Sequence, residues 1–172
     1  MNILITGVSC AGKSTIARHL LSLGFNAYDT DCIKNLSAWT DIKTGECIND
    51  VQWSSSDEWE GKYDWLWNKE YLKTMLDNNK GNVAFFCGSS SNQALFYDYF
   101  DLIFLLEVDD DLITERLKTQ REHSFGSNPG ELEIILNWYK DFQEKTKKAG
   151  AIVLDARNTT LEIVDEILHI VN

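Results

Sequence analysis

The chain has 172 residues, enough for one domain with a sizeable core, and 27 acidic against 16 basic side chains give a formal charge of −11. A field of that sign repels polyanions and argues against nucleic acid as a partner. The four cysteines lack both Cys-x-x-Cys spacing and the density of a disulfide scaffold, and no apolar run approaches the roughly 18 residues that span a bilayer.

From the N-terminus, residues 2–6 (Asn-Ile-Leu-Ile-Thr) read as a short apolar strand, and 13–23 as a helix with apolar residues three and four apart. Between them lies Gly7-Val8-Ser9-Cys10-Ala11-Gly12-Lys13-Ser14-Thr15. This is a complete G-x-x-x-x-G-K-[ST] phosphate loop in the strand–loop–helix setting the motif requires. Gly7 and Gly12 let the backbone turn so that successive N–H groups point at phosphate oxygens, and the helix N-terminus adds its dipole. Lys13 is placed to bridge terminal phosphates, and Ser14 to offer its hydroxyl to Mg²⁺. The expectation is a site for ATP with Mg²⁺, formed by Gly7, Ser9, Cys10, Ala11, Gly12, Lys13, Ser14 and Thr15. Cys10 lies near the helix N-terminus, a setting that lowers a thiol pKa and predicts alkylation-sensitive nucleotide binding. The competing reading of Cys10 is a filler at a variable loop position.

Further strands are predicted at about 26–29, 83–87, 102–107 and 151–155, and further helices at about 57–78, 92–98, 110–121, 130–148 and 160–171. The third and fourth strands are continuously apolar, as strands buried on both faces of a parallel sheet are. The alternation predicts an α/β chain: a three-layer P-loop NTPase fold with a five-stranded parallel sheet flanked by helices, in one domain over 1–172. Two stretches exceed what a crossover needs. Residues 36–70 hold Trp39, Trp53, Trp59, Trp65 and Trp67, and 121–130 form a polar loop with the chain's only proline. The first is expected to be a helical insertion over 36–78 that binds an acceptor, the second a short lid.

With the phosphate loop, this order of elements resembles the small P-loop kinases of the nucleoside monophosphate kinase superfamily, in particular adenylate-kinase-like, shikimate-kinase-like and gluconate-kinase-like enzymes. The resemblance implies roles for residues beyond the loop. Asp29-Thr30-Asp31 is similar to the D-x-D pattern that shikimate-kinase-like proteins place beside the acceptor hydroxyl and the metal. A carboxylate there orients the attacking hydroxyl, takes its proton or holds a metal-bound water. Asp31 is the preferred catalytic and acceptor-side residue and, with Ser14, the metal partner; Asp29 is the second choice. The same residues also suit a strand-end turn with a helix cap. Gly88 and Ser89 stand where such kinases carry a glycine-rich acceptor turn, although three serines replace its glycines and the third strand lacks the metal-site carboxylate of P-loop ATPases.

The resemblance also assigns Arg116 and Arg121 to the hinge of the lid, stacking on the base or clamping the transferring phosphoryl group, with Arg121 catalytic and Arg116 nucleotide-binding. Arg157 and Asn158, in Asp155-Ala156-Arg157-Asn158, are implied for the base or ribose region; an N-cap segment is the plainer reading. The tryptophans of the insertion read mainly as a small satellite core at helical spacing, and otherwise as a stacking surface. No arginine lies between Arg18 and Arg116, where monophosphate kinases hold their acceptor phosphate. The expected acceptor is therefore a nucleoside or related metabolite, or a polyol or sugar acid.

The leading expectation is an ATP-dependent kinase of a small molecule: cytoplasmic, a monomer or homodimer, with no nucleic acid or membrane partner. The alternative is a P-loop switch or a non-catalytic nucleotide-binding regulator acting through a protein partner. A D-x-x-G switch element and an N-K-x-D guanine motif are both missing from the sequence.

Overall fold

The continuously apolar runs become the centre of one parallel sheet. A computed structural model describes residues 1–48, 61–119 and 130–171. In chain order its elements are β1 (Asn2–Thr6), α1 (Lys13–Ser22), β2 (Asn26–Asp29), β3 (Ser37–Asp41), β4 (Cys47–Ile48), β5 (Tyr63–Trp67), α2 (Lys69–Asn78), β6 (Ala84–Cys87), β7 (Leu102–Glu107), α3 (Asp110–Thr119), α4 (Glu131–Lys148), β8 (Ile152–Asp155) and α5 (Thr160–Val171). The large sheet has the order β2-β6-β1-β7-β8, with every neighbouring pair parallel. β1 lies at its middle, so the phosphate loop that follows emerges at the centre of the sheet's C-terminal edge.

Side chains alternating along the strands feed two cores. Ile3, Ile5, Phe85, Cys87, Phe104 and Leu106 face α1, α3, α4 and α5, where they meet Ile16, Leu20, Ile113, Ile135, Val164 and Ile167. Leu4, Phe86 and Ile103 point the other way, onto Leu72 and Leu76 of α2, Trp67, Phe96 and Phe100. Burial on both faces explains why these strands read as uninterrupted apolar runs.

The insertion departs from its expected helical form. β3, β4 and β5 form a separate antiparallel sheet of order β4-β3-β5, and helix begins only at Lys69. Tyr63, Trp65 and Trp67 recur every second residue, the period of a strand, and that signal outweighs the helical spacing of Trp59, Tyr63, Leu66 and Glu70 in the sequence. Asn68 fixes the start of α2 by accepting the Tyr71 N–H at 3.0 Å. The stretch expected as a helix over 92–98 is a 3₁₀ turn, Gln93–Tyr99. Trp53, Trp59, Arg121 and the rest of the expected lid up to residue 129 lie outside the described residues.

Candidate active site

β1 ends in the phosphate loop, whose backbone is set by two left-handed residues, Cys10 (φ 63) and Gly12 (φ 107). Gly12 is the N-cap of α1, so the helix dipole opens onto the loop. Gly7 is needed for space: a Cβ there would meet the Ala11 Cβ at 2.9 Å. Lys13 is buried, and its ammonium donates to the Val8 carbonyl at 2.9 Å, folded back across the loop it would share with phosphate. Ser14 is exposed at the start of α1, Ser9 is half-buried, and the Thr15 hydroxyl accepts from Arg18 at 3.3 Å. The expected loop residues are thus together. The expectation for the Cys10 thiol is reversed: burial pushes it up to about 11, against the opposing pull of Lys13 and Arg116.

β2 and β6 bring the second group to the same edge. Asp29 ends β2 opposite Cys87, and Asp31 follows in a 3₁₀ turn, Thr30–Cys32. The half-buried Asp31 carboxylate accepts from Trp65 Nε1 at 3.4 Å and from the Ser89 backbone N–H. Burial raises its pKa above the usual carboxylate range; Asp29 adds to that rise, while Lys13 and the two N–H donors oppose it. Asp31 therefore sits within electrostatic reach of the phosphate-loop lysine. Asp29 keeps one oxygen, Oδ1, buried and without a hydrogen-bond partner.

Gly88 is required by close approach. A Cβ on it would lie 1.6 Å from the Thr30 hydroxyl and 3.1 Å from Asp31 Oδ1. The serine turn after it is fastened to the small sheet. Ser91 donates its N–H to the Trp65 carbonyl at 2.9 Å, and the Asn92 side chain both accepts from the Trp67 N–H (2.9 Å) and donates to its carbonyl (3.0 Å). Trp65 in turn packs edge-on against Trp39, with centroids 5.5 Å apart. The insertion thus delivers one tryptophan to the Asp31 carboxylate and buries another, Trp67, in the core.

The remaining predicted residues take other partners. Arg116 of α3 hydrogen-bonds to the carbonyls of Cys10, Ala11 and Ala156. Arg157 Nη2 donates to both carboxylate oxygens of Asp109, at 2.6 and 2.5 Å, and the Arg157 backbone N–H donates to Asp155 Oδ1 at 2.8 Å. The side chain of Asn158 is exposed. Sequence reading missed Gln93: it accepts from the Thr6 hydroxyl at 2.9 Å and donates to Tyr97 at 2.8 Å, and Tyr97 meets Thr146 at 3.2 Å. It passes as an ordinary helical glutamine until β1 and the turn after β6 are brought together.

Among the described residues no group of three or more His, Cys, Asp or Glu side chains could hold a metal ion alone. The local donors are nonetheless hard oxygens: the Ser14 hydroxyl, Asp31, and the unpaired Oδ1 of Asp29. That set fits Mg²⁺ brought in with phosphates, which would supply most of its ligands. No helix among the described residues is long and apolar enough to cross a membrane.

Residues 3–136 match the family model described as AAA domain. None of the curated proteins matches the chain. Several solved structures share its fold over nearly the whole length. Shikimate kinase from Aquifex aeolicus is similar at 20% identity over 99% of this chain and 96% of its own, with a TM-score of 0.54. Deoxyadenosine kinase from M. mycoides with bound dATP is similar at 15% identity over 100% of both chains, with a TM-score of 0.53. A gluconokinase from Sinorhizobium meliloti is similar at 16% identity over 98% and 89%, with a TM-score of 0.54. The chain belongs to the AAA domain family, and its fold is that of the small P-loop kinases.

Proposed function

We propose that this chain is a small-molecule kinase that moves the γ-phosphoryl group of ATP to a hydroxyl of a nucleoside-like or polyol acceptor. The observation that carries the reading is the pairing, at one edge of the sheet, of a buried phosphate-loop lysine with a half-buried carboxylate, Asp31, held by Trp65 and Ser89. A phosphate loop alone serves switches and motors as well. A carboxylate fixed beside it, outside the loop and braced by an added sheet, is what a hydroxyl nucleophile requires.

The triphosphate lies in the N–H cradle of residues 7–15, with Lys13 exchanging the Val8 carbonyl for phosphate oxygens. Mg²⁺ at Ser14, with Asp29 and Asp31 behind it, would offset phosphate charge. The acceptor hydroxyl sits against Asp31. As its oxygen bonds to the γ-phosphorus, the bond from that phosphorus to the β-bridging oxygen breaks, and the hydroxyl proton passes to the Asp31 carboxylate. The raised pKa suits Asp31 to that role. Arg121 would neutralise charge on the transferring group. The deoxyadenosine, shikimate and gluconate kinases of like fold support an uncharged or polyhydroxylated acceptor, as does the lack of any arginine between Arg18 and Arg116.

The test is ADP release from Mg-ATP across a panel of nucleosides, nucleotides, polyols and sugar acids, with Lys13→Ala as the blank and Asp31→Asn as the acceptor-side control. Strong stimulation by one compound, lost in both variants, is the expected result. Tight ATP binding with no stimulation by any compound would instead favour a nucleotide-dependent switch or regulator.

A further inference from the structure

β1 and β6 part at the C-terminal edge of the large sheet. The Gly88 N–H still reaches the Ile5 carbonyl at 3.0 Å; beyond it β1 runs into the phosphate loop at Gly7, and β6 into the serine turn. Each serine N–H of that turn has its own partner. Ser89 donates to the Asp31 carboxylate, Ser91 to the Trp65 carbonyl at 2.9 Å, and Ser90 to the Gln93 side chain at 3.4 Å. The Gln93 contact leads back to the phosphate loop. The same oxygen, Oε1, accepts from the hydroxyl of Thr6, the residue before Gly7, at 2.9 Å.

The carboxamide can stand only one way. The Ser90 N–H is a donor, so Oε1 faces it, and Nε2 is left to donate to the Tyr97 hydroxyl at 2.8 Å. Thr146 gives its proton to the Phe142 carbonyl at 2.8 Å, so Tyr97 donates to Thr146 across 3.2 Å. Thr6, Ser90, Gln93 and Thr146 are each at most 6% exposed. Water therefore does not compete for these bonds, and losing one leaves a buried group unpaired.

We propose that Gln93 is a positioning residue that couples the two halves of the site: with a ligand in the phosphate loop, its carboxamide oxygen holds the serine turn in place behind Asp31. Gln93 meets no ligand itself, because it is buried and both ends of its carboxamide are engaged. A restraint on the backbone at Gly7 passes through Thr6 to Oε1, from there to the Ser90 N–H, and so to the Ser89 N–H on Asp31. The proposal rests on the kinase reading above.

Backbone amide exchange of the full chain by NMR, with and without saturating Mg-ADP, reads this coupling before any acceptor is known. The amides of Ser89, Ser90 and Ser91 are compared with those of Phe85 and Phe86 inside β6, which report global opening. In the wild type, Mg-ADP should slow exchange in the turn about tenfold beyond its effect on β6. Thr6→Val and Gln93→Leu cut the link and should reduce that protection to about twofold or less, with calorimetry showing Mg-ADP still bound. Thr6→Ser keeps the hydroxyl and should keep the protection. So should Tyr97→Phe, which breaks the far end of the same buried chain and leaves Oε1 in place. Protection that survives in Thr6→Val and Gln93→Leu would overturn the inference, as would its absence from a wild type that binds Mg-ADP. An equal loss in Tyr97→Phe would reveal general loosening and overturn it too. If Gln93→Leu is unfolded, Thr6→Val against Thr6→Ser carries the comparison. A wild type that does not bind Mg-ADP defeats the nucleotide reading of the loop and the inference with it, a result distinct from a failure of Gln93 alone.

Discussion

Trp65 Nε1 donates to Asp31 Oδ1 across 3.4 Å, and through this bond a sheet inserted between β2 and β6 supports a carboxylate beside the phosphate loop. The bond links a residue of the antiparallel β5 to one just past the end of a parallel strand. Substituting Trp65→Phe keeps an aromatic ring and removes the donor. The expected result is a fall of about tenfold in acceptor kcat/KM with the KM for ATP unchanged, from the loss of one hydrogen bond to a charged group. Steady-state kinetics with each substrate varied in turn provide the check, and an equal effect on ATP would count against an acceptor-side role.

Asp31 predicts a pH signature in stability. Its pKa in the fold is raised, chiefly by burial, so the protonated carboxyl is the form the fold favours. Its contribution is complete below the unfolded value near 3.8 and is lost as pH rises through the raised value. Asp31→Asn, neutral throughout, should melt about 2–4 °C above wild type at pH 7 without nucleotide or metal, and the gap should close near pH 3.5. Melting points across that range test this; a gap independent of pH would show that the ionised carboxylate costs the fold nothing.

Gly88→Ala should cost about 1–3 kcal/mol or more, since its Cβ would overlap the Thr30 hydroxyl and press on Asp31. Removing that hydroxyl in the Gly88→Ala/Thr30→Ala double variant should recover part of the loss. Urea unfolding of the four proteins gives the coupling energy, and strict additivity would mean that the crowding is relieved elsewhere.

At Cys10 two outcomes are expected from one position. With its thiol pushed up to about 11, it should alkylate more slowly at neutral pH than the exposed Cys47, as peptide mass spectrometry can follow. Because φ is 63 there, Cys10→Gly should stabilise the fold by about 1 kcal/mol. A destabilised glycine variant would show that the buried thiol outweighs the backbone strain.

Gln93→Leu removes the partner of the Thr6 hydroxyl and of Tyr97 in a buried site. The expected loss is about 2–3 kcal/mol by denaturant unfolding, with the midpoint moving and the slope unchanged.

The phosphate loop and the central strands β1, β6 and β7 were legible in the sequence because each rests on local pattern, a fixed motif or an apolar run buried on both faces, whereas the more exposed edge strands β2 and β8 were placed by the alternation of elements. The Trp-rich insertion was misread where two periods overlap, since Tyr63, Leu66 and Glu70 suggest a helix while Tyr63, Trp65 and Trp67 specify a strand. Register then decided the matter, pairing β5 with a β3 strand more than twenty residues away. Asp31 was recognised by position, but its partner Trp65 was not, because their contact depends on that pairing. Arg116 was picked out by charge and place, whereas its bonds run to carbonyls, which every residue possesses and which therefore leave no trace in side-chain pattern.

The two cores on opposite faces of the large sheet also bear on how such a chain can diversify. The phosphate loop's helix α1 packs on one face, while α2, Trp67 and the 3₁₀ turn after β6 pack on the other. Substitutions that repack the second face alter the packing beneath the serine turn and the small sheet, whereas Val8 and Ala11 of the phosphate loop rest on the first. On the kinase reading proposed above, acceptor preference would change by repacking one face of the sheet while residues 7–15, seated on the other, keep their support.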